Sequence, residues 1–278
     1  MQKQDQGQDQ KQDQVCEQIR QRVRKHIRIV LVEPAGPLNV GSVARVMKNM
    51  GLETLVLVNP HCDPVGAEAR QMAVHAADIL EAAQTVDSIP AALTGCYRAI
   101  ATTGRPRAAA NLEHPRQALP WLIEQPSALI FGPEDRGLNN AELNYAQRFI
   151  GIPSNPVYPS LNLAQAVAVC CYELYQFTQA QANQTAPFPA VEPALQDSDA
   201  LVPDPLASMD ALEGYFQHLE QVLLEIGFLL PHTAPSRMQK LRQIFGRSQL
   251  SEAELALLRG ILRQTAWAVQ QQPSQGQN

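Results

Sequence analysis

Residues 150–163 read Ile-Gly-Ile-Pro-Ser-Asn-Pro-Val-Tyr-Pro-Ser-Leu-Asn-Leu, and an apolar segment follows directly over residues 164–174. The stretch starts like a strand, continues as a loop with three prolines, and enters a helix that Ser160 or Asn162 could open. Free N–H groups at the start of that helix would lie beside small polar side chains. This combination predicts a binding site for a polar small molecule.

Around this stretch, short β-branched runs alternate with helical segments from Ile27 onward, as in an α/β domain. Residues 29–32 and 129–131 are apolar throughout, which favours a parallel sheet covered on both faces. The predicted strands are 27–33, 54–59, 98–102, 127–131 and 149–152. The predicted helices are 40–49, 66–83, 115–124 and 141–147.

Composition divides the chain into five parts. Residues 1–26 form a Gln-rich tail that we predict to be disordered, and residues 27–178 form the α/β domain. Residues 179–206, rich in Gln, Ala, Pro and Asp, are typical of a flexible linker. Residues 207–271 carry three periodic helical segments, the last opened by a capping box at Ser251, and residues 272–278 form a disordered tail.

The net charge and the apolar runs limit the possible partners. A formal net charge of −5 and a sequence pI of about 5.7 argue against a protein that coats nucleic acid non-specifically. Any RNA partner would therefore need a local basic patch. No apolar run approaches a membrane span, and the N-terminus lacks the apolar core of a signal peptide. We expect a soluble cytoplasmic protein without a membrane partner.

The cysteines favour neither a disulfide framework nor a zinc site, because no C-x-x-C and no nearby pair of histidines occurs. We expect buried thiols and no bound metal. The five positions are Cys16, Cys62, Cys96, Cys170 and Cys171.

Polar loops follow several predicted strands. In residues 33–45, Gly36 and Gly41 allow close backbone approach, and Asn39 or Ser42 could cap the next helix. Arg45 and Lys48 share one face of that helix, for which a solvated cationic surface is the alternative to an RNA contact.

Two further loops have the same character. Residues 131–142 place glycines and carboxylates at the end of a buried strand, before a helix that Asn139 or Asn140 could cap. Ligands bind at such strand ends in open α/β sheets, although an ordinary capped turn is the alternative. Residues 101–107 add hydroxyls, a glycine and two arginines. Neither a dinucleotide fingerprint nor a P-loop occurs, which argues against a Rossmann or P-loop nucleotide enzyme.

Three segments, in this order and spacing, closely resemble the signature motifs of the SPOUT RNA 2′-O-methyltransferases. They are Asn39-x-Gly41-x-x-x-Arg45, Phe131-Gly132-x-Glu134-x-x-Gly137-Leu138 and Asn155-Pro156-x-Tyr158-x-Ser160-Leu161-Asn162-Leu163. The third motif and the helical C-terminal extension are similar to those of the TrmJ type, the tRNA cytidine/uridine 2′-O-methyltransferases. The resemblance covers residues 27–178 and, more weakly, the C-terminal helices.

The resemblance implies a parallel-sheet α/β fold whose C-terminal part forms a trefoil knot, followed by a small all-helical extension. It also implies a homodimer that transfers a methyl group from S-adenosylmethionine to a ribose 2′-oxygen of tRNA. The expected target is position 32 of the anticodon loop. A SPOUT-fold protein that binds RNA without turnover is the alternative.

The expected site residues form three sets, of which the catalytic and cofactor-binding sets are carried over from the family and the RNA-binding set rests on cationic positions in the sequence. The catalytic set is Asn39, Arg45, Glu134, Ser160 and Asn162. The cofactor-binding set is Thr102, Thr103, Gly104, Gly132, Ile152, Pro159, Ser160 and Leu161. The RNA-binding set is Lys48, Arg105, Arg107, Arg237, Lys240 and Arg242, the last three of which belong to a cationic run in the C-terminal helices.

Two positions depart from the family pattern. Pro159 stands where the TrmJ type commonly has a serine, which removes a backbone donor from the cofactor loop. Asp135 adds an acid beside the expected glutamate. Arg45 matches the arginine of the first motif, and its permanent charge suits it better to holding a phosphate and lowering the pKa of the hydroxyl than to accepting a proton.

Overall fold

The computed structural model describes residues 21, 23, 25–104, 112–183 and 204–271. These residues form two compact units. Of these residues, the first unit contains 21, 23, 25–93, 98–104 and 112–183, and the second contains 94–97 and 204–271. The predicted disordered tails and most of the predicted linker lie outside the described residues. Residues 21, 23, 25 and 26 are helical, and Val23 is buried in the core, so ordered chain begins before the predicted boundary at Ile27.

The first unit is built on a sheet of seven parallel strands in the order β3-β2-β1-β6-β4-β7-β5. This confirms the predicted parallel α/β fold. The strands are β1 (Ile27–Val32), β2 (Thr54–Val58), β3 (Gln84–Val86), β4 (Arg98–Thr102), β5 (Leu112–Glu113), β6 (Ser127–Phe131) and β7 (Arg148–Ile150). The trefoil knot stays a prediction.

Helices cover the sheet and continue through the second unit. Those of the first unit are α1 (Pro37–Asn49), α2 (Ala67–Ala73), α3 (Ala77–Ala82), α4 (Ile89–Ala92), α5 (Pro115–Ala118), α6 (Asn140–Leu143) and α7 (Leu163–Asn183). A 3₁₀ turn, Leu119–Leu122, follows α5. Those of the second unit are α8 (Met209–Glu225), α9 (Ala234–Ser248) and α10 (Glu252–Gln270).

All five predicted strands are present, and β3 and β5 were missed. Strand β3 has three residues, two of them exposed, and β5 has two partly buried residues, so neither could show an apolar pattern. The central strands do show one, because every residue of β6 and all but one of β1 are buried.

Several helix boundaries differ from the prediction. Residues 66–83 form two helices, because Val74 at φ 54° ends the hydrogen-bonded run of α2. A β-branched residue rarely adopts that conformation, so no sequence signal marked the break. The helix predicted over 115–124 is α5 followed by the 3₁₀ turn, and α6 is shorter than its predicted range. Helix α7 continues past residue 178 to Asn183.

The second unit confirms the three predicted helices. Tyr215 and Phe245 meet edge-on with their ring centroids 5.5 Å apart, and Phe216 completes the aromatic core. Ser251 and Glu254 form the expected capping box at the start of α10. Within the described part of the chain, no helix is long and apolar enough to cross a membrane.

The parallel sheet positions the site. Because all strands run the same way, the loops that follow β1, β4, β6 and β7 leave from the same edge. Helix α1 packs on α2 and α7 beside this edge. Gly41 makes the α1–α2 contact possible, since a Cβ there would lie 2.1 Å from the carbonyl oxygen of Ala69.

Gly41→Ala should therefore destabilise the first unit. Overpacking against a backbone carbonyl costs on the order of 1–3 kcal/mol and outweighs the roughly 1 kcal/mol that alanine gains over glycine in a helix. Gly260→Ala is the control, because a Cβ there meets nothing within 4 Å in helix α10. Urea unfolding followed by circular dichroism measures both. Equal stabilisation by the two substitutions would contradict the packing argument.

Candidate active site

A pocket lies at the carboxyl ends of β4, β6 and β7 and is closed by the start of α7. It is lined by Thr102, Thr103, Gly104, Phe131, Gly132, Pro133, Glu134, Asp135, Arg136, Gly137, Leu138, Ile150, Ile152, Pro159, Ser160, Leu161, Leu163 and Ala166. All eight residues of the predicted cofactor-binding set are among them. The loops that the sequence separates by tens of residues thus meet at one place.

One wall of the pocket is a loop that cannot carry side chains at two positions. A Cβ on Gly132 would lie 2.3 Å from the amide nitrogen of Leu138, so only glycine fits there. Gly137 has φ 64°, which favours glycine. The close return of the chain leaves backbone atoms exposed along this wall, where a ligand can reach them.

Three of the predicted catalytic residues form one hydrogen-bonded chain. Asn39 Nδ2 donates to Glu134 Oε1 at 2.8 Å, and Asn162 Nδ2 donates to Asn39 Oδ1 at 3.0 Å. The backbone amides of Ala35 and Gly36 donate to the two oxygens of Glu134 at 3.1 and 3.2 Å. The chain therefore connects the first, second and third motifs.

The Glu134 carboxyl stays ionised because of these donors. Partial burial acts to raise the pKa of Glu134, but the hydrogen bonds from Asn39 and from the backbone amides of Ala35 and Gly36 outweigh it. The net pKa of Glu134 lies below its ordinary value. A charged acceptor is thus held where the first motif meets the pocket wall.

Asn162, rather than Ser160, opens α7. Its Oδ1 accepts from the Ala164 amide at 2.8 Å, and its own amide donates to Gln165 Oε1 at 3.1 Å. Ser160 lies just before the helix on the pocket wall. The one side chain therefore caps α7 and holds Asn39 in place.

The predicted cap of α1 was wrong. Helix α1 begins at Pro37 after Gly36, and no side chain caps it. Asn39 is engaged with Glu134 instead, while Ser42 Oγ donates to the Leu38 carbonyl within the helix. At the next helix, Asn139 rather than Asn140 is the cap of α6.

The loop between β7 and α7 keeps its shape around Pro159. Ser154 Oγ donates to the Pro159 carbonyl at 2.8 Å, and Asn155 Oδ1 accepts from the Val157 amide at 2.9 Å. Val157 and Tyr158 at the tip are 90% and 79% exposed. The loop is therefore held by its own polar side chains rather than by apolar burial.

Arg45 lies on the exposed face of α1, outside the pocket lining. Within the described residues its guanidinium makes no hydrogen bond or ion pair. Lys48, one turn further on, is paired with Asp78 at 2.7 Å. Arg105 and Arg107 of the predicted RNA-binding set lie outside the described residues.

The cations of the second unit have different surroundings. Arg242 makes a bidentate ion pair with Glu213 at 2.6 and 2.9 Å and lies over the ring of Phe216. The charge of Arg242 is therefore paired with the carboxylate of Glu213 within the second unit. Arg237 and Lys240 are exposed on α9, and Arg237 donates to the Phe228 carbonyl at 2.6 Å.

Sequence reasoning missed Arg136, which lines the pocket and bonds to Glu33 and Glu142. A sequence signal was available for its partner Glu142, because Asn139 and Glu142 have the spacing of a capping box. The partnership of Arg136 with Glu33 spans 103 positions and had no sequence signal.

The cysteine prediction holds for most of the thiols. Cys96, Cys170 and Cys171 are buried, Cys62 is partly buried, and Cys16 lies outside the described residues. Burial raises the pKa of the Cys171 thiol to about 12. Among the described residues, no three His, Cys, Asp or Glu side chains form a group that could hold a metal ion.

Comparison with known proteins gives the family. The sequence model of the SpoU rRNA methylase family matches residues 26–172. The chain belongs to this family. A second model, the C-terminal domain of the tRNA methyltransferase TrmJ, matches residues 210–276. The resemblance read from the three motifs is confirmed.

Similar proteins cover nearly the whole chain. The tRNA (cytidine/uridine/adenosine-2′-O-)-methyltransferase TrmJ of Pseudomonas aeruginosa is 41% identical over 86% of this chain and 93% of its own. The tRNA (cytidine/uridine-2′-O-)-methyltransferase TrmJ of Klebsiella pneumoniae is 41% identical over 85% of this chain and 94% of its own. The crystal structure of TrmJ from Z. mobilis ZM4 matches with a TM-score of 0.73 and 29% identity, over 86% of this chain and 98% of that one.

The low pKa of Glu134 predicts a pH-dependent contribution to stability. A folded pKa below the ordinary value of 4.5 stabilises the folded state above pH 4.5, and the effect disappears as the pH falls through the folded pKa. Glu134→Gln should therefore lower the free energy of unfolding at pH 7 by about 1 kcal/mol, since solvent screens these bonds, and by less at pH 3.5. Urea unfolding at both pH values measures the difference. Glu68→Gln, an exposed carboxylate of α2, controls for loss of one charge, and a pH-independent difference for Glu134→Gln would contradict its ionised state.

Proposed function

We propose that this chain transfers a methyl group from S-adenosylmethionine to a ribose 2′-oxygen of tRNA. The observation that carries the proposal is the hydrogen-bonded chain Asn39–Glu134–Asn162, which joins all three motifs beside the pocket that Glu134 lines. The names of the relatives from Pseudomonas aeruginosa and Klebsiella pneumoniae support the reaction and the substrate. They also favour this function over an RNA-binding protein without turnover.

The pocket residues suit the cofactor. Ile152 and Leu161 are partly exposed in the lining and offer apolar surface to a flat adenine ring. The hydroxyls and backbone groups around Thr103 and Ser160 offer polar contacts to the ribose and the amino-acid part. Thr102 Oγ1 is held by donating to the Ile130 carbonyl at 3.1 Å. When bound, S-adenosylmethionine supplies an activated methyl group on a sulfonium.

The chain's own residues have to position the acceptor. Methyl transfer requires the attacking oxygen to lie in line with the methyl carbon and the sulfur, so correct placement carries much of the rate. Asn39 is fixed by two side-chain partners at the border between the α1 loop and the pocket. Its amide is therefore well placed to orient the substrate ribose.

Arg45 is the residue that we assign to the reacting hydroxyl. Its guanidinium is exposed and carries a charge that no carboxylate of the described residues neutralises. A permanent cation beside the ribose and its phosphate holds the phosphate and lowers the pKa of the 2′-hydroxyl. The proton of the hydroxyl then leaves more readily as the carbon–oxygen bond forms.

The proposed substrate is cytidine or uridine at position 32 of the anticodon loop. Adenosine appears beside these two bases in the name of the Pseudomonas aeruginosa relative. A reaction at the ribose needs no contact with a particular base edge, which is consistent with a tolerant site. The proposed working form is a cytoplasmic homodimer that requires no metal ion. Exposed apolar side chains at Val157, Tyr158 and Tyr172, on the loop before α7 and on α7 itself, support a protein interface on this unit.

The decisive experiment is a mass-spectrometric map of 2′-O-methyl groups in tRNA incubated with the protein and S-adenosylmethionine. The tRNA comes from cells that lack ribose methylation at position 32. We expect a new methyl group on the ribose at that position. Transfer to another nucleotide would correct the target, and absence of any new 2′-O-methyl group would refute the function.

Arg45→Ala should abolish most methyl transfer and leave cofactor binding nearly intact. The side chain lies outside the pocket lining, so the S-adenosylmethionine Kd should change less than about twofold, while the loss of a charge-stabilising group costs on the order of 100-fold in rate. Calorimetry and a labelled-methyl assay measure the two quantities. Arg70→Gln, an exposed cation on α2, is the control for charge. A parallel loss of cofactor affinity would contradict the assignment.

Arg237→Gln combined with Lys240→Gln should weaken tRNA binding and its salt dependence. We choose these two and leave Arg242 intact, because breaking its ion pair with Glu213 would disturb the helical unit itself. Each lost phosphate contact lowers the slope of log K against log salt by a little under about 1. A salt titration of tRNA binding measures the slope, and Arg263→Gln on α10 is the control. An unchanged slope would move the RNA contact to the first unit, near Arg45.

A further inference from the structure

Arg136 joins two carboxylates that come from distant parts of the sequence. Its Nη2 lies 2.5 Å from Glu33 Oε2, and its two Nη atoms donate to both oxygens of Glu142 at 2.9 Å. Nη1 also donates to the Gly137 carbonyl at 3.1 Å. The N–H donors of both Nη atoms are therefore hydrogen-bonded to protein acceptors, although Arg136 lines the pocket.

The Glu33 side of this bridge lies under the first motif. Glu33 follows β1 directly and has φ 48°, a conformation that non-glycine residues adopt rarely. Its amide donates to the Val58 carbonyl at 2.7 Å, which fixes the direction in which the chain leaves the sheet. Residues 33–39, which we name the acceptor loop, start from this point and include the first turn of α1, as far as Asn39. An unfavourable backbone conformation persists where its surroundings hold it, and here Arg136 is the partner of its side chain.

The Glu142 side holds the pocket wall. Glu142 Oε2 also accepts from the Asn139 amide at 2.6 Å, as part of the capping box that starts α6. Residues 132–138, which we name the donor loop, are thus tied to α6 through the same carboxylate that binds Arg136. The Glu142 side chain is 13% exposed, so its charged hydrogen bonds are less screened than those of a surface pair.

The two loops are joined twice. Glu134 of the donor loop accepts from the backbone of the acceptor loop, and Arg136 of the donor loop donates to Glu33. The two links use opposite charges, and the side chains are two residues apart in the sequence. A single link would leave the acceptor loop free to turn about that contact, whereas two links fix its orientation relative to the pocket.

We propose that Arg136 is a positioning residue that holds the acceptor loop against the donor loop, so that the ribose oxygen meets the methyl group in line. For the Arg136–Glu33 link, the inference rests on the methyl transfer proposed above. For the Arg136–Glu142 link, it concerns only the binding of the cofactor. The two sides can therefore be measured separately.

The test uses the full-length protein and three substitutions. Glu33→Ala breaks only the acceptor-side link, and we expect methyl transfer from the saturated complex to slow at least tenfold with the S-adenosylmethionine Kd within twofold of wild type. Arg136→Gln breaks both links, and we expect that Kd to rise at least fivefold and the rate to fall at least tenfold. Arg136→Lys, a point charge that cannot bridge two carboxylates in the same way, should recover part of both losses.

A double-mutant cycle separates positioning from general destabilisation. In the Arg136→Gln background, Glu33→Ala should lower the rate by less than a further twofold, because its partner is already absent. Arg70→Gln is the matched control, since Arg70 pairs with Glu81 outside the pocket lining. It should leave both the rate and the Kd at wild-type values, and thermal melting of every variant is compared with it.

Three results would overturn the proposal. One is a wild-type rate in Glu33→Ala, and another is a pair of rate losses that multiply in the double variant. The third is an S-adenosylmethionine Kd in Arg136→Gln equal to that of Arg70→Gln. This third measurement needs no tRNA, so it decides the donor side even if the wild-type protein methylates no tRNA and the proposed function fails.

Discussion

Glu134 accepts hydrogen bonds from two backbone amides and one side-chain amide of the loop after β1, although it belongs to the loop after β6. The two strands are neighbours in the sheet, with Leu31 opposite Phe131, so their loops leave the sheet side by side. A carboxylate placed between them has enough lone pairs for three donors. Asn162 extends the contact to the third motif through Asn39. The pocket and the acceptor loop therefore share one fixed geometry, and the other features of the site depend on it.

Glycines set the path of the chain along the wall of the pocket that contains Asp135, one of the two departures from the family pattern. Gly132 and Gly137 are required by close approach and by a left-handed conformation. Asp135 lies between them, is exposed and lines the pocket. Pro159 lacks an amide donor, but its carbonyl is held by Ser154. Both departures change the charge or the donors offered to a ligand while leaving the path of the chain intact.

Much of the fold, and the meeting of the eight predicted cofactor-binding residues at one pocket, could be predicted from the sequence for a physical reason. Parallel strands bring their carboxyl ends to one edge, so loops of the right composition after Thr102, Phe131 and Ile150 had to meet there. Partnerships between side chains could not be read in the same way. Arg136 pairs with Glu33, which is 103 positions away in the sequence, and Lys48 pairs with Asp78, which is 30 positions away. Neither pairing follows from a local sequence pattern.

The cap of α1 and the end of α2 were also predicted wrongly from the sequence. Asn39 is a residue type that favours helix caps, but its side-chain amide donates to the charged carboxylate of Glu134 on another loop instead. Val74 ends α2 in a conformation that its residue type disfavours, and the residue is 49% exposed, so neither local preference nor burial of this side chain predicts the break. For Asn39 the local preference was correct as a tendency, and a contact between distant segments overrode it.

Charge pairing explains how an acidic chain can present a cationic surface to RNA. Lys48, Arg136 and Arg242 each have a carboxylate partner, so their charges are largely cancelled where they lie. Arg45 and Lys240 have no such partner among the described residues and are exposed. Since binding to a phosphate backbone depends on cations that can displace counterions, the unpaired ones count for more than the total. A formal net charge of −5 is then compatible with RNA binding. For Arg45 the lack of a carboxylate partner also matters for the chemistry. No neighbouring negative charge offsets the electrostatic attraction of its guanidinium for the ribose oxygen and phosphate that it is proposed to contact.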